Sequence, residues 1–291
     1  MSKYPIYEVK RLIRKLGKVA VVAMHLHPGK RIIRARPNYN GEKFSKVSEL
    51  SYKPGRYNLK FQRASSPRMT MFYGSLIPDF YRPNEILNAR VIGCFESIPL
   101  IRENQNSGVQ VISFGKWIVT KKISLCAIVF HKNFLLKNSF ANELNSGYEE
   151  FVKRYPDFEK DSLMVSSYFA NYFANNKIAD DYDYIMSACF TEMAVEKGFA
   201  GVLYPSVRGE GHGFNVAIHP YFVDSAMELE AVGQSTIYKL GTELFLDNDL
   251  VALVLKGQME FNLKPVLPNF HLGRENVIKE LILRNFQKFE N

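Results

Sequence analysis

Residues 198–220 read GFAGVLYPSVRGEGHGFNVAIHP, and the fold of the chain turns on them. An apolar run from Phe199 to Tyr204 enters Pro205 and Ser206, crosses a glycine-rich polar loop and returns through alternating Phe214, Val216 and Ile218. That pattern predicts two strands joined by a loop. Small polar side chains at a strand end are well placed to meet a ligand, so Ser206, Arg208 and Asn215 form one candidate group. Gly209, Gly211 and Gly213 would let the backbone approach closely. An ordinary hairpin with a loose tip fits the same spacing. The loop is not a nucleotide-binding glycine signature, because it leads into a strand-like run and lacks the required spacing.

A second segment runs from Arg63 to Glu96 and opens RASSPRMTMFYGS. Together the two segments resemble the RES family, bacterial proteins named for Arg, Glu and Ser residues. The family pattern places an early Arg, a GRWN-like turn entering a strand that ends Tyr-x-Ser, a Glu, and a Pro-Ser step before an Asn-led strand. Here Arg34 or Arg36 supplies the first element, Arg63-Ala64-Ser65-Ser66-Pro67 the turn, and Tyr73-Gly74-Ser75 the Tyr-x-Ser. Pro205-Ser206 and Asn215 complete the set, and the likeness spans roughly residues 32–224. Gln62, Ala64 and Ser65 stand where Gly, Trp and Asn are expected. Glu96 and Glu85 compete for the acidic position. Glu96 is favoured because it precedes Val111 to Val119, which reads as the strand pair that follows that acid, whereas Glu85 suits a helix N-terminus.

The resemblance implies an α+β protein with an ADP-ribosyltransferase-like mixed sheet, and an enzyme that consumes NAD by hydrolysis or phosphorolysis, with ADP-ribosyl transfer as related chemistry. It also implies a bacterial toxin or defence effector, no resident cofactor, NAD and inorganic phosphate as reactants, and an Xre-type antitoxin or other inhibitory partner. In that frame Arg34 and Arg63 hold the pyrophosphate, since guanidinium grips phosphate oxygens in a fixed fork, with Arg36 as substitute. Tyr73 stacks on nicotinamide. Glu96 stabilises positive charge developing on the ribose anomeric carbon. Ser206 donates to ribose or phosphate, and Ser75 and Asn215 support the site. Ser206 has no histidine spaced for a triad, which disfavours acyl transfer.

Composition bounds these expectations. The 291 residues, 46% apolar and 23% charged, suit a globular protein of one large or two modest domains. Net charge of +9 favours anionic partners, but no run of five or six like charges makes a nucleic-acid tail. A nucleic-acid-binding module using the basic N-terminal helix, or an inactive RES-like scaffold, are the alternatives. Cys94, Cys126 and Cys189 sit among apolar neighbours and read as buried free thiols of a reducing compartment. No apolar run reaches the roughly 20 residues of a membrane span, so a cytoplasmic location is expected.

Along the chain, Ile6, Val9, Leu12, Ile13 and Leu16 recur at helical spacing and predict an amphipathic first helix with Lys10, Arg11, Arg14 and Lys15 on its polar face. Strands are expected over 19–24, 32–36, 69–73 and 125–130, and a helix grading into a strand over 85–96. Residues 37–60 read as an irregular connection that folds over the pocket. His25 and His27, two apart on a strand, share a face, but no third metal ligand stands at recognisable spacing. Trp117 reads as core. Expected boundaries are an N-terminal helix and strand over 1–31, a catalytic core over 32–232 with a helical insertion over about 134–197, and a C-terminal extension over 233–291 ending in a helix through Val277, Ile278, Leu281 and Ile282.

Overall fold

The two strands around the glycine loop form as their composition requires. Val202, Leu203, Val216 and Ile218 are wholly buried, each contributing about 1.5–3 kcal/mol when removed from water. The computed structural model describes residues 5–17, 19–79, 88–102 and 107–266. In chain order its elements are α1 (Ile6–Arg14), β1 (Val22–Leu26), β2 (Arg31–Asn38), β3 (Phe72–Leu76), α2 (Ala89–Ser97), α3 (Pro99–Arg102), β4 (Gly108–Val119), β5 (Ile123–Ala127), α4 (Lys132–Leu135), α5 (Ser139–Arg154), α6 (Pro156–Ala174), α7 (Ile185–Glu196), β6 (Gly201–Pro205), β7 (Phe214–Ile218), α8 (Pro220–Ala226), β8 (Met227–Leu240), β9 (Glu243–Leu253) and β10 (Lys264–Pro265).

The fold is α+β. The strands make one mixed sheet in the order β1-β5-β6-β7-β3-β2-β4-β8-β9-β10. Its β5–β6 pair is parallel and the other pairs are antiparallel. Successive strand residues face opposite sides, and β2 shows the result: Ile32 joins the large core while Ile33 joins a smaller one. The large core includes Phe72, Trp117, Leu125 and Leu203, and the ring of Phe72 meets Trp117 edge-on at 5.3 Å. The smaller core seats Ala89, Cys94 and Ile98 against Ile112 and Phe114, and so fixes α2 across the sheet. Trp117 donates to the Leu50 carbonyl at 3.0 Å, which satisfies its indole N–H inside the core.

Several expectations shift. Residues 111–119 belong to a single strand, β4, which pairs along its length with β2 and β8, where a strand pair was expected. The segment before Glu96 is helical through Ser97, because the Asn88 side chain accepts from Arg90 and Val91 and caps it; it does not become a strand. The boundary expected between residues 232 and 233 falls inside one strand, β8, where Gly233 keeps its pairing with Phe114 and Val251. That strand runs through position 232 without a break. Residues 37–60 pack on the sheet through Leu50 and do not line the cavity described below. Leu12 and Leu16 are exposed, leaving Ile13 as the buried residue of α1. The expected C-terminal helix and Glu85 lie outside the described residues.

The thiols of Cys94, Cys126 and Cys189 are free, buried and pushed up to about 12 by burial. The rings of His25 and His27 lie 6.4 Å apart, and among the described residues no cluster of metal-ligating side chains forms. No helix among the described residues is long and apolar enough to cross a membrane.

Candidate functional site

Strands β2 and β3 pair only at Ile32 with Leu76 and Ile33 with Ser75. Beyond Ile33 they part, and the gap opens into a cavity of about 430 Å³ beside α2. Helix α2 reaches this gap because residue 93 is glycine: a Cβ there would stand 2.9 Å from that of Ala35. Glu96, near the end of α2, lines the cavity together with Arg34, Tyr73, Tyr204 and Arg208.

A carboxylate near a helix C-terminus faces the negative end of the helix dipole and needs compensating donors. Three converge on one oxygen. Glu96 Oε1 accepts from Ser206 Oγ at 2.7 Å, from Asn215 Nδ2 at 2.9 Å and from the Arg208 backbone N–H at 3.3 Å. Asn215 is oriented by Ser75 Oγ, which donates to its Oδ1 at 2.9 Å; the two residues are register partners across β3 and β7. Among the described residues nothing bonds Oε2, so that oxygen is the one a ligand can meet.

Ser206 was expected to donate directly to substrate. It is wholly buried, gives its proton to Glu96 and accepts from the Gly209 N–H at 2.9 Å, so it positions the carboxylate and the loop. The loop is held from outside by the start of the helical region. Asn138 Nδ2 donates to the carbonyls of Gly211 and Gly213, and Lys137 pairs with Glu210 at 2.6 Å. Gly211 has φ +96°, and a Cβ on it would strike the Phe134 ring at 2.8 Å, so glycine is required there.

Of the two early arginines, Arg34 lines the cavity. It donates from Nη1 to the Tyr73 carbonyl at 2.8 Å, just past the last β2–β3 pair, while its buried Nε has no partner among the described residues. Burial, and secondarily Arg36, brings its guanidinium down to about 10, still charged at neutral pH. Arg36 is turned away from the cavity: it donates to the Glu49 carbonyl at 2.7 Å, lies over Phe44 at 4.1 Å and approaches Glu42 at 3.7 Å. Arg63 lines the cavity, yet its Nη groups donate to the carbonyls of Phe173 and Asn175, the latter at 3.1 Å. It thereby satisfies orphan carbonyls at the end of α6, with the Tyr184 ring 5.1 Å beneath it.

The Tyr73 hydroxyl accepts from the Ala64 N–H at 3.1 Å and pairs with Ser65 Oγ at 3.0 Å; burial pushes the phenol up to about 12. Ala64 and Ser65 therefore anchor this tyrosine. Burial, then the neighbouring Glu96, raises Tyr204 well above the ordinary phenol value. Arg102, Gln62, Tyr184 and Tyr204 line the cavity but were not read as site residues. Tyr204 had a signal, as the neighbour of Pro205-Ser206; Tyr184 lies in a segment that the helical pattern assigned to the core. On the first helix Lys10 pairs with Glu192 at 2.6 Å, Arg14 with Glu196 at 3.0 Å and Arg11 with Glu8 at 2.7 Å. Among the described residues four arginines, Arg34, Arg63, Arg102 and Arg208, line the cavity against one carboxylate, that of Glu96, which suits it to an anionic ligand.

No known family model matches the chain, and no curated protein matches it.

Proposed function

We propose that this chain is an NAD-consuming enzyme of RES type, with an ADP-ribosyltransferase-like core, that breaks the bond between nicotinamide and ribose. The observation that carries the reading is Glu96: one oxygen is pinned by three donors and the other is offered to a cavity walled by guanidinium groups and tyrosines. As the bond from the anomeric carbon to the ring nitrogen breaks, its electron pair stays on nitrogen and the positive charge moves to the ribose. Glu96 Oε2 stabilises that charge. Nicotinamide departs neutral, so no strong general acid is needed. Water or phosphate then adds to the anomeric carbon and, in the case of water, a proton is released. Arg34 and Arg208 hold the diphosphate, and Tyr73 and Tyr204 wall the reacting end.

The test is release of nicotinamide from NAD by pure protein, with and without phosphate. Glu96→Gln is expected to lower kcat by roughly 10²–10³-fold, the loss typical of one preorganised electrostatic group. Absence of nicotinamide release at enzyme concentrations matching NAD would overturn the proposal.

A further inference from the structure

A second cavity of about 310 Å³ is lined by His131, Asn171, Tyr172, Ala174 and Asn175. It lies at the same end of the sheet as the first. The chain beyond β5 runs beside β6, with the Ile128 N–H on the Leu203 carbonyl, and reaches His131 three residues later. Arg63 links the walls of the two cavities: it lines the first and donates to the backbone carbonyl of Asn175, a lining residue of the second. We infer that this second cavity takes the purine base of the dinucleotide whose nicotinamide end lies against Glu96. The inference rests on the NAD reading.

Three observations carry it. The first cavity, at about 430 Å³, is at the low end of small-molecule sites. The second offers the chemistry of a base pocket. Asn171 and the Nδ2 of Asn175, whose Oδ1 already accepts from the Lys177 N–H at 3.0 Å, can meet the mixed donor and acceptor edge of adenine. Tyr172, steadied by Tyr168 at a hydroxyl distance of 3.2 Å, and His131, backed by the Phe134 ring at 4.4 Å, present faces for stacking. Burial holds His131 below the ordinary imidazole value, which keeps the ring neutral at pH 7. Lastly, a guanidinium has five N–H donors and Arg63 spends two on carbonyls, so the group between the cavities retains donors for a diphosphate crossing it.

The full chain is titrated with AMP by calorimetry, and kcat/KM is compared for NAD and nicotinamide mononucleotide. The variants are Asn171→Ala, at an exposed position, and Tyr172→Leu, with folding checked by circular dichroism. Each is expected to weaken AMP binding roughly tenfold and to reduce the preference for NAD over the mononucleotide by a similar factor. Failure of the wild-type chain to bind AMP at millimolar concentration, or folded variants matching wild type in both measurements, overturns the inference, even if NAD is cleaved. If neither substrate is cleaved but AMP binds and both variants weaken it, the second cavity stands as a base site and the NAD-cleaving reading falls.

Discussion

Replacing Ser206 by alanine removes one oxygen that serves a half-buried carboxylate and a buried N–H. Its bond to the Glu96 carboxylate, at 2.7 Å, is of the charged kind worth about 1.5–3 kcal/mol. Its second role, accepting from the Gly209 N–H at 2.9 Å, leaves on removal an unsatisfied buried donor costing about 1–3 kcal/mol. The total, about 2.5–6 kcal/mol, is a large part of the roughly 5–15 kcal/mol that holds a typical domain together. A double-mutant cycle separates the two. In a Glu96→Ala background the charged bond is already gone, so Ser206→Ala is left with the Gly209 cost, and the coupling energy should be about 1.5–3 kcal/mol. Urea unfolding followed by fluorescence of Trp117, the single tryptophan and a buried one, measures each corner. Additivity within about 0.5 kcal/mol would show that Ser206 does not hold Glu96, and the positioning argument would fail.

Arg34→Met should abolish ADP-ribose binding while changing stability by less than about 1 kcal/mol or raising it, because the buried guanidinium is desolvated and a methionine fills similar volume; calorimetry with ADP-ribose and urea unfolding check both, and a large destabilisation with intact binding would contradict the assignment. His219 and His131 are both held below the ordinary imidazole value by burial, so below about pH 6.5 the unfolded chain binds more protons than the folded one. Their contribution is complete above that pH and is lost as pH falls through the folded values. His219 caps α8 by accepting the Tyr221 N–H at 3.3 Å, so His219→Gln, which retains an acceptor without the charge, should flatten the decline of the urea midpoint between pH 8 and 5. A midpoint equally steep in the variant would remove His219 from the account.

The hydrophobic pattern made the centre of the sheet legible, since the runs around Val202 and Val216 are too apolar to lie anywhere but inside. The site residues Arg34, Tyr73, Glu96 and Asn215 are picked out by motif resemblance, not by that pattern, and they line one cavity from segments far apart in sequence. What the pattern did not carry was direction. Arg34 and Arg36 share a strand face, and only the Glu49 carbonyl and the Phe44 ring decide that Arg36 turns elsewhere. Ser206 read as a substrate donor because spacing cannot say which neighbour claims a hydroxyl; the Gly209 N–H and Glu96 claim it here. The helix ending at Glu96 was misread as entering a strand because Val91, Ile92 and Phe95 also suit a buried strand, and the cap at Asn88 was overlooked. Tyr184 was lost for the same reason, its apolar neighbours making it look like filling for the core.

The 119 positions between Glu96 and Asn215 have a temporal meaning during synthesis. At 5–20 residues per second, about 6–24 s pass on the ribosome between emergence of the carboxylate and arrival of the amide that orients it. For most of that interval a nascent polypeptide lacks the Pro205-Ser206 step as well. A message cut short upstream of codon 206 therefore yields a product in which Glu96 lacks both the Ser206 and the Asn215 donors that pin its carboxylate.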